Sequence, residues 1–227
     1  MSLIWILSVI LITLTFLSII FVAAFTTSKI DEEKFSFLRV FPFETRKKSV
    51  RNGKPYLWLI YTFSILCFLP LIYIATTKTS LVSLNSLSIL IGVLLGLDAI
   101  IFVFVNIYDV THVKAHLNLF ICFAFVSLLC SALIFTRSCV AYKTFMKYNR
   151  ESPLLFVSEI CSGIMTILVM IICLNPKLKT WAKLDTLEGE NVIYKRPKKF
   201  VLAYSEWALF LSIFINEILY FVQLLEK

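Results

Sequence analysis

Six long apolar runs, each closed off by polar or charged residues, organise the chain. They cover Ser2–Phe25, Tyr56–Thr76, Ser83–Tyr108, Leu117–Thr136, Pro153–Leu174 and Val201–Leu224. Each reaches the roughly 20 residues that an α-helix needs to cross a hydrocarbon core. Alternation of the strand type is absent from these runs, so the pattern predicts an all-α integral membrane protein. It forms one domain, residues 1–227, built as a bundle of six transmembrane helices. Within these bounds the charged residues are Asp98, Glu159, Glu206 and Glu217, as expected when a charge at the bilayer centre costs about 2.5–3.5 kcal/mol on insertion scales. Pro70 falls inside the second run and predicts a kink there, because proline cannot donate to the preceding turn.

Composition agrees with that pattern and removes the alternatives. Hydrophobic residues make up 59% of 227 positions, too many for a disordered chain or an ordinary soluble domain. The net charge of +8 comes from 22 Lys and Arg against 14 Asp and Glu. A basic surplus can signal nucleic acid, but no soluble surface large enough to bind one is visible, and none is expected as a partner. The six cysteines show no C-x-x-C spacing and read as small buried hydrophobes. The first run lacks a basic leader and exceeds the length of a signal-peptide core, so it is expected to remain as a membrane anchor.

The basic residues instead set an orientation. Loop 26–55 carries eight and loop 175–200 carries seven, and Lys114 joins them on the same side. The opposite side has six: Lys78, Arg137, Lys143, Lys147, Arg150 and Lys227. The positive-inside rule then predicts cytoplasmic odd-numbered loops and both termini on the non-cytoplasmic side. Four of the six lie in the fourth loop, and an amphipathic interfacial helix over Ser138–Tyr148 would account for them. Arg46, Lys47, Lys48 and Arg51, with Lys195, Arg196, Lys198 and Lys199, abut span ends and are expected to touch lipid headgroups. The run from Phe35 to Phe43 reads as an interfacial or re-entrant segment on the bilayer surface, with Pro42 ending any helix there.

Candidate chemistry is concentrated in three spans. Ser88, Gly92 and Gly96 recur every four residues in the third and form a small-residue strip that admits a close helix. This strip predicts a partner helix, with a homo- or hetero-oligomer through the third span. Asp98 lies on another face of that helix. Asp109, His112 and His116 follow at its end, and the i, i+4 histidine pair has metal-ligand spacing. Glu159 has Ser162, Gly163 and Thr166 beside it. Glu206 and Glu217 are eleven residues apart and share a helix face, and Glu159 and Glu217 are expected at one depth.

No Lys or Arg falls within the assigned spans, so these acids must be neutralised by protons, water or a cation. The expected function is a small permease or proton- or cation-coupled transport component using Asp98, Glu159, Glu206 and Glu217. Two other readings stand beside it: a non-enzymatic scaffold or accessory subunit, and a metal-dependent membrane enzyme at Asp109, His112 and His116. The chain carries five glycines, and no phosphate-binding loop or nucleophile motif occurs. No cofactor is expected, and an enzyme is the less favoured class. The expected location is a plasma or other cellular membrane, with membrane lipids as partners.

Overall fold

The computed structural model of the chain describes residues 3–30, 35–38, 40–42, 54–76, 82–108, 113–148, 152–176, 178, 185–188, 191–194 and 201–225. Seven helices occur among these: α1 (Leu3–Ile30), α2 (Lys54–Leu66), α3 (Leu69–Thr76), α4 (Val82–Ile107), α5 (Val113–Lys147), α6 (Pro153–Cys173) and α7 (Val201–Leu225). With α2 and α3 sharing one crossing, six segments are long and apolar enough to span a membrane. The protein is a multi-pass membrane protein. One element departs from an all-helical chain. Strands β1 (Asp185–Glu188) and β2 (Asn191–Tyr194) form an antiparallel hairpin in the loop before α7, with Glu188 paired to Asn191.

The second span breaks where Pro70 requires it. Proline has no N–H for the Leu66 carbonyl, and the chain turns through Cys67 and Phe68. The Phe68 amide bonds three residues back to Ile65, and the Leu71 amide bonds to the Phe68 carbonyl. This turn is packed directly against the strip on α4. A Cβ on Gly96 would stand 2.3 Å from the Phe68 ring, and one on Gly92 would stand 2.7 Å from Leu71 Cδ2. Gly92 and Gly96 therefore admit the turn and α3 of the same chain, whereas Ser88, the third member of the expected strip, faces Arg137 and Tyr220 instead.

The fourth span is much longer than its apolar core suggests. Helix α5 runs 35 residues, about 52 Å at 1.5 Å per residue, and continues through Arg137, Lys143 and Lys147. The expected interfacial helix over Ser138–Tyr148 is the end of this same helix. Its pattern does not stop at Arg137 because Ser138 and Ala141 are buried beyond it. Helix α6 begins at Pro153 as expected, with the Ser152 side chain accepting the Leu155 amide as its N-cap.

Packing places α7 at the centre. It touches α1, α4, α5 and α6, whereas α1–α2–α4–α5–α6 follow one another around it. Stacked rings secure these contacts: Phe210 lies on Phe102 of α4 at 4.3 Å, and Phe214 lies on Phe16 of α1 at 4.2 Å. The outer surface is apolar. On α6, Val157, Ile160, Ile164, Ile167, Leu168 and Ile171 are all exposed, while Ser158 and Ser162 are buried. This inside-out distribution is what a lipid solvent selects.

The expected surface segment around Phe35–Phe43 divides between two environments. Phe37 and Leu38 are exposed, but Val40 and Phe41 are buried in the bundle end. Trp207 Nε1 donates to the Val40 carbonyl at 2.7 Å, and Phe35 and Phe37 meet the Trp207 ring edge-on. Pro42, expected to end a helix, is itself helical.

The α3–α4 contact leads to a test. Gly96→Ala should destabilise the protein by about 1–3 kcal/mol, the usual cost of overpacking. Gly163→Ala, whose Cβ would meet the Phe135 ring at a tolerable 3.2 Å, should cost less. Thermal unfolding of the detergent-purified variants compares the two.

Candidate functional site

Polar side chains gather inside the bundle at three levels along α7. Its buried face repeats Ser205, Ser212, Asn216 and Gln223, with Glu206, Glu217 and Tyr220 alongside. The spacings of seven and four hold these residues on one side of a helix. That side faces the interior because polar groups in hydrocarbon must find partners within the protein.

The first level joins the starts of α5 and α7. His116 Nε2 lies 2.7 Å from Glu206 Oε1, with both side chains fully buried. The other ring nitrogen, Nδ1, donates to the Tyr108 carbonyl at 2.8 Å, since a carbonyl oxygen can only accept. The His–Glu contact therefore holds one proton, either on imidazolium facing carboxylate or on a neutral carboxyl facing imidazole. In both forms the pair is net neutral. Glu206 Oε2 and Ser205 Oγ have no hydrogen-bond partner among the described residues. Phe41 closes the pair from the side, its ring edge-on to His116. Close by at the same end, Tyr56 Oη donates to Asn106 Oδ1 at 3.3 Å.

The second level lies near mid-depth. Ser127 Oγ of α5 stands 2.9 and 2.7 Å from the two oxygens of Asp98. Asn216 donates to Ser131 Oγ at 2.7 Å. Glu217 is fully buried, and both its carboxyl oxygens lack a hydrogen-bond partner among the described residues. Ser127 and Ser131 are one turn apart on α5, so Asp98 and the neighbour of Glu217 meet adjacent turns of that helix. The two acids thus flank one buried region, next to the break between α2 and α3. Between this level and the first stand Phe16, Phe63, Phe102 and Phe210, whose rings lie 4.3–6.3 Å from one another in successive contacts.

The third level contains a buried base. Arg137 Nε donates to Ser88 Oγ at 3.0 Å, and Nη1 donates to Gln223 Oε1 at 2.9 Å. The guanidinium lies over the Tyr220 ring, 5.5 Å from its centroid. Tyr220 donates to the Ser88 carbonyl, and Gln223 Nε2 donates to Ser138 and Ser158. Arg137 was expected in a loop as part of the topology signal; it is part of the bundle core, because α5 does not end at Thr136. The expectation that the spans hold no base fails with it.

The remaining candidates are distributed unevenly. Glu159 is half-buried and lies against Cys139 of α5; it is Ser158, its neighbour, that reaches Gln223. Asp109, His112 and the basic residues Arg46, Lys47, Lys48, Arg51, Lys195, Arg196, Lys198 and Lys199 lie outside the described residues. No group of three His, Cys, Asp or Glu side chains suited to a metal occurs among the described residues, and both ring nitrogens of His116 are already engaged. Ser127, Ser131 and Ser138 went unrecognised in the sequence, although their spacings of four and seven mark one face of α5.

Among the described residues, two apolar cavities lie elsewhere. One of about 710 Å³ is lined by Phe16, Leu38, Trp207 and Leu211 among others, and one of about 370 Å³ by Phe120, Phe125 and Leu178 among others. Neither is lined by Asp98, Glu206 or Glu217. No protein-family model, curated protein or solved structure matches this chain.

The two mid-depth acids should respond differently to substitution. Ser127→Ala strips Asp98 of its hydrogen bonds and should cost about 1–3 kcal/mol. Glu217→Gln removes no hydrogen bond to protein, so the unfolding midpoint should hold steady or rise. Differential scanning fluorimetry of both variants in detergent decides between these outcomes.

Proposed function

We propose that the protein is a proton-coupled transport component in which Glu217 is the central proton site and Asp98 its neighbour. The supporting observation is the complete burial of Glu217 with neither carboxyl oxygen partnered. An isolated carboxylate charge in such a place costs several kcal/mol, so the site is filled by a proton or a small cation. A structural carboxyl would be expected to hydrogen-bond across helices, as Asp98 does to Ser127. Glu217 has no such bond among the described residues, which favours a group that loads and releases over one that braces the fold.

The arrangement around it suits a relay with a barrier. Glu206 and Glu217 are eleven residues apart on α7, about 16 Å along the axis. The His116–Glu206 pair shares a proton at one end, facing the cytoplasm if the basic loops orient the chain. The aromatic layer of Phe63, Phe102 and Phe210 separates it from Glu217 and blocks a continuous wire. Proton passage then requires that layer to part, with the hinge at Cys67–Phe68 as the place where the second span can bend. An accessory or metal-enzyme role draws less support, since the broken second span occupies Gly92 and Gly96 and both ring nitrogens of His116 are engaged.

Reconstitution into liposomes loaded with a pH-sensitive dye tests the proposal. An imposed pH gradient with a potassium–valinomycin clamp should drive proton flux through the intact protein. Glu217→Gln should reduce that flux to the level of empty liposomes, and His116→Gln should slow it. Flux that is undiminished in both Glu217→Gln and Asp98→Asn would sink the reading.

A further inference from the structure

Arg137 is a buried guanidinium with no acid beside it. It is 6% exposed, and its contacts are a hydroxyl, an amide oxygen and an aromatic face. None of these carries a full negative charge, and no ion pair to Arg137 exists among the described residues. A guanidinium has five N–H donors in a rigid fork, and the two hydrogen bonds use only part of them. Nη2 makes no hydrogen bond and is not among the buried polar atoms left without a partner. That nitrogen is therefore not fully enclosed by the described residues.

The surroundings hold the fork in place. Gln223, which fixes Nη1, is itself anchored by the hydroxyls of Ser138 and Ser158. Ser88, which fixes Nε, belongs to the same helix turn whose carbonyl receives Tyr220. Arg137 is 21 residues along α5 from His116, about 32 Å, and so about one hydrocarbon thickness away. A crossing that begins at His116 would therefore bring its unused edge toward the opposite headgroup layer.

We propose that Arg137 anchors a binding site for a phosphate oxyanion, positioned by Ser88, Gln223 and Tyr220. The ligand meets the unused N–H donors of the fork and neutralises the buried charge. Its source is either the headgroup of a lipid in that leaflet or a small soluble phosphate. The site needs no proton movement at Glu217, so it stands or falls independently of transport.

The test uses the full-length protein in phosphate-free detergent at fixed chloride and ionic strength. One arm titrates inorganic phosphate, and the other titrates short-chain phosphatidylglycerol against the diacylglycerol of the same chains. Unfolding temperature and native mass spectrometry report binding. Saturable stabilisation by phosphate assigns a soluble ligand; stabilisation by the phospholipid alone assigns the headgroup. Arg137→Lys keeps the charge but loses the fork, and should weaken binding by about tenfold or more. If neither probe stabilises the unaltered protein, the proposal is overturned whatever the variant does. Equal affinity in Arg137→Lys and in the unaltered protein overturns it as well.

Discussion

Every feature of this bundle depends on the enclosure of α7. A helix in lipid can satisfy its own backbone, but its polar side chains must be satisfied by other helices. Helix α7 carries Ser205, Glu206, Ser212, Asn216, Glu217, Tyr220 and Gln223, all buried. Its place in the middle, touching α1, α4, α5 and α6, follows from that load. The partners supplied are correspondingly polar or close-fitting: His116, Ser131 and Ser138 from α5, Ser158 from α6 and the Ser88 carbonyl from α4. Because lipid offers the same apolar environment as leucine, hydrophobicity cannot choose the neighbours of a helix. Hydrogen bonds and small-residue contacts make that choice here.

Enclosure of α7 also explains why α4 is built as it is. One side must reach α7 and α5, which it does through Phe102, Asp98 and Ser88. Another must accept the broken second span, which it does through Gly92 and Gly96. The break itself exposes backbone polar groups, and a turn at that depth survives only when protein surrounds it. The two glycines let the turn seat its Phe68 ring within the α4 surface. Proline in one span and glycine in another are therefore one device.

Hydropathy made the six spans legible, and proline made the kink legible, because both effects are local. The buried acids Asp98, Glu206 and Glu217 could be picked out for the same reason: a charge within an apolar run has to be accommodated. Their partners could not. That Glu206 meets His116 ninety residues earlier, or that Asp98 meets Ser127, depends on which helices touch, and no periodicity within a single helix encodes that. The true end of the fourth span, beyond Arg137 at Lys147, is hidden in the sequence for a related reason. A hydropathy window treats arginine as the end of a membrane segment, whereas its aliphatic stem and forked head can be accommodated where another helix supplies acceptors. Ser88 and Gln223 are those acceptors, and they come from two different spans.

The three polar levels differ in how their charge is balanced, and the difference bears on what each can do. His116 and Glu206 balance each other with one proton between them. Asp98 is stabilised by a hydroxyl but by no cation among the described residues. Arg137 is stabilised by neutral groups and keeps one open edge. Glu217 has none of these supports. A protein that needed only a stable bundle would gain by replacing such a carboxyl with leucine, because burying polar groups without partners costs stability at every one of them. Among the described residues the buried polar atoms without a partner all lie on α7, at Ser205, Glu206, Asn216 and Glu217, the helix that the surrounding packing encloses. A destabilising group in a well-protected position is the usual mark of a site retained for binding or transfer, not for folding, which is why the proposed role is built on Glu217.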